Sequence, residues 1–187
     1  MYVAKAAELN LEYLREDAYR IEVWYAHHGW FDARVTGWQT RRVRPKRTHR
    51  AGVVDLYAHV EPGPISHVGD VRLVGMTPAT QLLGRAVLRS RWVAQGEPYS
   101  LDSVRLAEQG LVLKLHDHGF PYATVTSQSV VRAEDREVDI VFEVEQGIPG
   151  TIGDISVSTT PHVPQRFVRH HLTFATGDSY KQSQMLQ

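Results

Sequence analysis

The ten histidines are the residues of this sequence that most invite a chemical interpretation, because imidazole is a common ligand for zinc. They include the close groups His27-His28, His116-x-His118 and His170-His171. Two ligands on one face of a helix need a separation of three or four residues, and no H-E-x-x-H pattern occurs. The spacing therefore predicts no metal site and no cofactor, with the histidines at helix ends and on solvated faces.

Motifs for nucleophilic or phosphate chemistry are equally scarce. The sequence has no G-x-S-x-G, no G-x-x-x-x-G-K-[ST] and no cysteine. Acidic pairs such as Glu143 and Glu145 alternate along a predicted strand, where an exposed face is the simplest explanation. We therefore predict that the protein is not an enzyme.

Charge is balanced over the chain but concentrated in one stretch. The 21 basic and 21 acidic residues give a net charge of zero, which argues against a nucleic-acid partner. A basic loop nevertheless combines six cations within ten positions. Two interpretations stay open: contact with anionic headgroups or an acidic accessory protein, or a solvated hairpin tip. Its residues are Arg41, Arg42, Arg44, Lys46, Arg47 and Arg50.

The sequence predicts neither a secretory signal nor a membrane-spanning helix. The first residues lack the apolar segment of a secretory signal, and no apolar run approaches the roughly 18 residues of a spanning helix. The last residues stop where a helix is expected to open. We therefore expect this chain to be a fragment of a longer protein.

An internal repeat organises the elements that carry these residues. Val54-Asp55-Leu56 and the following Val60-Glu61-Pro62-Gly63 recur as Val138-Asp139-Ile140 and Val144-Glu145-Gln146-Gly147, an offset of 84 residues (147 − 63). The repeat predicts serial units rather than one large core.

The helix endings repeat as well, with a different spacing. The segment from His28 to Val35 resembles that from His118 to Val125, an offset of 90 residues (119 − 29). The longer basic loop of the first copy accounts for the difference. A third, partial copy begins near residue 148.

The complete copy predicts the order β-α-α-β-β. A strand over 66–75 precedes a helix opened by Thr77-Pro78, whose expected apolar face is Leu82, Leu83, Ala86 and Val87. Ser100 is expected to cap a second helix that ends at Gly119. Two strands follow, over 123–131 and 137–145, and the second should bury Val138, Ile140, Phe142 and Val144 on one face.

This order, together with Tyr25-Ala26-His27-His28-Gly29-Trp30-Phe31-Asp32-Ala33-Arg34-Val35 and its second copy, resembles the polypeptide-transport-associated (POTRA) domains of the BamA/TamA-like outer-membrane β-barrel assembly family. The resemblance implies an α+β fold of tandem POTRA domains, each a three-stranded mixed sheet with two helices on one face. The expected domains are a partial one at 1–63 without its first strand, a complete one at 64–147, and the beginning of another at 148–187.

The resemblance also implies a function. Such domains form a periplasmic array at the outer membrane of Gram-negative bacteria, ahead of a membrane barrel in the same polypeptide. They bind unfolded outer-membrane protein precursors and accessory assembly proteins. Two alternatives are a POTRA module of a two-partner secretion pore and an interaction scaffold in bacterial cell division. The serial repeat disfavours the scaffold.

In the resembling family the strand after the second helix lies at a sheet edge, where an extended client can add a strand. Here that strand is uncharged, and it is either open to clients or covered by another part of the protein. Trp38 is either a packing residue or a client contact, and Trp24 is expected in the core. The candidate edge residues are Ala123, Thr124, Val125, Thr126, Ser127, Gln128 and Ser129, with Val35, Thr36 and Trp38 in the first unit.

Overall fold

A computed structural model describes residues 11–43, 53–90, 93–158 and 165–185. The helices and strands fall into three groups that follow the three sequence copies. The first group ends before residue 64, the middle group lies between residues 64 and 147, and the third group follows residue 147. In chain order they are α1 (Leu11–His27), β1 (Arg34–Val43), β2 (Val53–Glu61), β3 (His67–Val74), α2 (Pro78–Ser90), α3 (Leu101–Asp117), β4 (Thr124–Arg132), β5 (Glu137–Glu145), α4 (Gln165–His170) and α5 (Gln182–Met185).

The middle group forms a mixed three-stranded sheet with β5 at its centre. The strand order is β3-β5-β4, in which β3 runs parallel to β5 and β4 runs antiparallel to it. Helices α2 and α3 cover one face of the sheet. The predicted fold class, α+β with the order β-α-α-β-β, is confirmed.

Strand β5 supplies the centre of the core through strict alternation. Val138, Ile140 and Phe142 are completely buried and Val144 is 4% exposed, whereas Glu143 and Glu145 face water. Val104, Ala107 and Leu111 of α3 pack on the inner face. The predicted face of β5 is therefore correct.

The buried face of α2 differs from the prediction. Leu83 and Val87 of the predicted face are half-buried, and Val87 packs against the core. Leu82, however, is 75% exposed and Ala86 is also exposed, while Thr80, Gly84 and Leu88 are buried at intervals of four residues. At Gly84 an added Cβ would lie within 3 Å of both Met76 and Leu73. Because Gly84 lets α2 approach Leu73 and Met76 so closely, the Gly84 side of the helix is buried and Leu82 remains exposed.

Both long helices end in the same way. In α3 the amide of Phe120 donates to the Leu115 carbonyl, and that of Gly119 donates to the His116 carbonyl. These two bonds form a Schellman motif, and Gly119 has the positive φ of +91° that it requires. Ser100 caps the other end of α3, because its hydroxyl accepts from the Ser103 amide. Both predicted helix signals are correct.

The first group has a two-stranded antiparallel sheet of β1 and β2, packed on α1. Among its described residues, Leu14 and Ala33 are the buried apolar ones. Trp24 was expected in the core, but it is 54% exposed and lies against His28 with the ring centres 4.2 Å apart. It lies at the exposed margin of α1, one turn after the partly buried Ile21.

Successive groups are joined by backbone hydrogen bonds at the helix-ending glycine. The amide of Ser66 donates to the Gly29 carbonyl (2.8 Å), and the Tyr99 amide donates to the Ser66 carbonyl (3.0 Å). Gly29 has a φ of +91°, and an added Cβ would lie 3.0 Å from two carbonyl oxygens. Phe31 crosses the joint and packs on the middle core beside Tyr99.

The second joint repeats the first. The Gly150 amide donates to the Gly119 carbonyl (2.8 Å), and the Tyr180 amide donates to the Gly150 carbonyl (3.0 Å). Here the end of α3 adds side-chain bonds: His116 contacts Gln182, and Asp117 accepts from the Ser183 amide. The repeat in sequence is therefore a repeat in the way that the groups are connected.

A bulge in β3 gives a structural role to Asp139, the aspartate of the Val-Asp-Ile motif. The register between β3 and β5 shifts between Val68 and Val71, which leaves the Asp70 amide without a strand partner. Asp139 of β5 accepts from that amide at 2.8 Å. This bond, together with Arg132, lowers the pKa of Asp139 below its ordinary value. Gly69 makes room, since an added Cβ would collide with the Asp139 carboxylate.

We predict that Gly69→Ala destabilises the protein by about 1–3 kcal/mol, because the new methyl group displaces Asp139 from the bulge. Gly153→Ala is the matched control. It occupies the equivalent position of the third copy, where an added Cβ has nothing within 4 Å. Urea unfolding of both variants measures the difference. Equal midpoints would contradict this account of the bulge.

Asp139 also predicts a pH dependence. Because its pKa is lower folded than unfolded, its stabilisation is complete above the unfolded value near 3.8 and is lost as pH falls through the lowered folded pKa. Asp139→Asn should therefore reduce the melting temperature at pH 7 by more than at pH 2.5. Melting curves from pH 2 to 7 test this, and a difference independent of pH would contradict it.

Candidate protein-binding surface

Strand β4 lies at an edge of the middle sheet, and it contains most of the predicted edge residues. Ala123, expected as the first of them, is instead buried just before the strand. Val125 and Ser127 are half-buried on the helix face, and the other strand residues of the predicted set, Thr124, Thr126, Gln128 and Ser129, are exposed. Pairing with β5 is continuous from Thr124 to Arg132, without a bulge. β4 is therefore a regular and uncharged edge until Arg132.

Alternate amides of β4 point away from the sheet, as antiparallel pairing requires. Val35 identifies which ones, because its amide points outward from β1 to the side chain of Glu22. Val125 occupies the same position 90 residues later (125 − 35). Since the register has no shift, the outward amides are those of Val125, Ser127, Ser129 and Val131.

An open groove runs between β4 and α3. Its volume is about 440 Å³ and its wall is mostly apolar. Leu113 is 50% exposed there. The lining residues are Glu108, Gln109, Val112, Leu113 and Val125. The groove places apolar surface beside an unpaired strand edge, which is the geometry of strand addition.

The edge of β1 is different. Its first outward amide, at Val35, is bound by Glu22 at 2.9 Å, and its register shifts by one residue at Thr36. Trp38 follows the shift and is half-buried. Bulges and charged groups are the usual means by which sheet edges avoid pairing.

A second groove, which sequence reasoning missed, lies at the opposite edge between β3 and α2. It has a volume of about 590 Å³ and an apolar floor that includes Leu73 and Leu88. Arg72, Arg85 and Arg89 surround it, so that the two edges of one sheet differ in charge. Arg85 and Arg89 are four residues apart, which places them on one side of α2. Because the buried face of α2 was not correctly predicted, this spacing did not show that they lie beside a groove.

Little of the basic loop can be placed. Arg41 is exposed near the end of β1, and Arg42 belongs to the same strand. Arg44, Lys46, Arg47 and Arg50 lie outside the described residues. The two interpretations of this loop therefore stay open.

Two of the described histidines, at the ends of α1 and α3, have structural contacts. The Nδ1 atoms of His28 and His118 lie 2.7 and 2.8 Å from the carbonyls of Trp24 and Lys114, one turn earlier. Because a carbonyl only accepts, each Nδ1 carries a proton. Within the described residues no group of three or more potential ligands could hold a metal ion. In the same part of the chain, no helix is both long and apolar enough to cross a membrane.

We predict that amide exchange distinguishes the two edges. Val35 should exchange at least tenfold more slowly than Val125, because Glu22 holds its amide. Glu22→Ala should remove that protection. Glu16→Ala, which changes an exposed carboxylate on the same helix, should leave it intact. Hydrogen exchange followed by NMR measures both, and similar rates at Val35 and Val125 in the unmodified chain would contradict the prediction.

Comparisons with known proteins agree with this architecture. The POTRA family model, described as "Surface antigen variable number repeat", matches residues 66–147. No curated protein sequence matches the chain.

Among solved structures, POTRA domains 3–5 of Haemophilus influenzae BamA align with a TM-score of 0.59 and 16% identity, over 92% of this chain and 65% of that one. BamA from Haemophilus ducreyi lacking POTRA domains 1–3 aligns with a TM-score of 0.39 and 23% identity, over 80% of this chain and 25% of that one. The N-terminal domain of Omp85 from Thermosynechococcus elongatus aligns with a TM-score of 0.43 and 14% identity, over 95% of this chain and 69% of that one. The first likeness establishes the fold, and the chain spans just under two thirds of that structure. Residues 66–147 thus match the POTRA family model, and the chain shares the fold of the BamA POTRA domains.

Proposed function

We propose that this chain is a periplasmic protein-binding module of an outer-membrane β-barrel assembly factor. Its clients are unfolded outer-membrane protein precursors, its further partners are accessory assembly proteins, and a membrane barrel belongs to the same polypeptide. The POTRA match at 66–147 and the fold shared with BamA POTRA domains support this proposal. The proposal also divides the chain into three parts: a partial domain at 1–63, a complete domain at 64–147 and the start of another at 148–187.

The observation that carries the proposal is the open edge of β4. Four outward backbone amides follow one another along an uncharged strand beside an apolar groove. Main-chain hydrogen bonds supply affinity without depending on the client's side chains. Such a surface suits a factor that handles many different precursors, and binding of this kind requires no catalysis.

We predict that Ser127→Pro weakens client binding at least tenfold. Proline removes an outward amide and places its ring at the edge, while the ladder to β5 keeps its hydrogen bonds. The probe is a fluorescent peptide with the alternating apolar and polar residues of an outer-membrane strand. Fluorescence anisotropy with the 187-residue chain gives the affinity.

Ser127→Ala is the matched control, because it changes the side chain and keeps the amide. It should bind as the unmodified chain does, and circular dichroism should show both variants folded. A peptide that does not bind the unmodified chain would contradict the proposed function. Binding that survives Ser127→Pro would exclude strand addition at β4.

A further inference from the structure

We infer that the two equivalent edges in this chain have opposite roles: β4 accepts the client strand, whereas Glu22 closes β1 against it. The inference rests on the proposed function and assigns it to one of two candidate strands. A carboxylate on the preceding helix and a register shift in the strand make the difference.

The equivalence of the two sites follows from the repeat. Leu14, Ile21 and Tyr25 on α1 correspond to Val104, Leu111 and Leu115 on α3, each 90 residues later. The same offset pairs Glu22 with Val112. One helix therefore presents a carboxylate where the other presents an apolar side chain.

The carboxylate of Glu22 competes directly with a client. Its Oε1 atom accepts from the Val35 amide at 2.9 Å, which is the bond that the carbonyl of an added strand would make. A charged acceptor bonds more strongly than a neutral carbonyl, and its charge repels approaching carbonyl oxygens. The register shift at Thr36 further interrupts the spacing that an added strand needs.

At β4 both obstacles are absent. No described side chain binds the Val125 amide, and the pairing of β4 has no shift. Val112 contributes instead to the groove wall, beside Leu113. The groove thus combines an available donor with apolar surface.

The charge of the groove indicates the chemistry of the occupant. Glu108 is its only charged lining residue, is half-buried, and forms no ion pair within the described residues. An extended client segment with apolar side chains on one face and a lysine or arginine opposite Glu108 would match both features. We therefore assign to β4 an unfolded, alternating and basic polypeptide segment.

Exchanging the two helix residues tests the inference. Val112→Glu introduces the carboxylate beside β4, and we expect at least a tenfold loss of affinity for an alternating peptide with one lysine. Glu22→Val frees the Val35 amide, and we expect that amide to exchange at least tenfold faster. Val112→Ala is the control for lost apolar surface and should lose less affinity than Val112→Glu does.

The readouts are fluorescence anisotropy and NMR shift mapping with the 187-residue chain. Val112→Glu should also slow exchange at Val125, which reports the new bond independently of the client. Peptide binding unchanged by Val112→Glu, or a Val35 amide that stays protected in Glu22→Val, would overturn the inference while leaving the proposed function standing. Binding lost in Arg85→Glu but kept in Val112→Glu would assign the client to the β3 groove instead. No binding to the unmodified chain would refute both the proposed function and the inference.

Discussion

This structure depends on how it satisfies the backbone amides that a small sheet cannot pair internally. A three-stranded sheet leaves two edges, and each unpaired amide must find another acceptor or remain in water. The chain solves this differently at each place. Asp139 binds the Asp70 amide in the β3 bulge, Glu22 binds the Val35 amide at the β1 edge, and the Val125 amide has no side-chain acceptor among the described residues.

The joints between groups use the same kind of bond. Gly29 and Gly119 offer their carbonyls to the first amide of the following group, and the positive φ of each glycine directs that carbonyl outward from the helix end. Since the bond is made by the backbone, Ser66 and Gly150 fill the same position despite their different side chains. At the second joint His116 and Asp117 add contacts to Gln182 and Ser183, so the connections differ in detail while sharing one plan.

The middle sheet presents two chemically distinct edges to a partner. The β4 edge is uncharged, lies beside an apolar groove and has Glu108 in its wall. The β3 edge is surrounded by three arginines. Opposite charges on the two edges would orient a charged client and discourage indiscriminate pairing, which is a general requirement for proteins with exposed strands.

Much of this followed from sequence, because local patterns determined it. The alternation of Val138, Ile140 and Phe142 specified a half-buried strand, Ser100 and Gly119 specified the ends of α3, and the repeated motifs specified serial units. The sequence did not show which of several possible contacts a single residue makes. Gly84 turned α2 so that Leu82 faces water, and Trp24 lies outside the core, because both depend on which neighbour approaches most closely. The sequence by itself determined which strands form and how they repeat. Only the tertiary structure decided which edge is open, because the bond between Glu22 and Val35 joins residues 13 positions apart that neither periodicity nor composition relates.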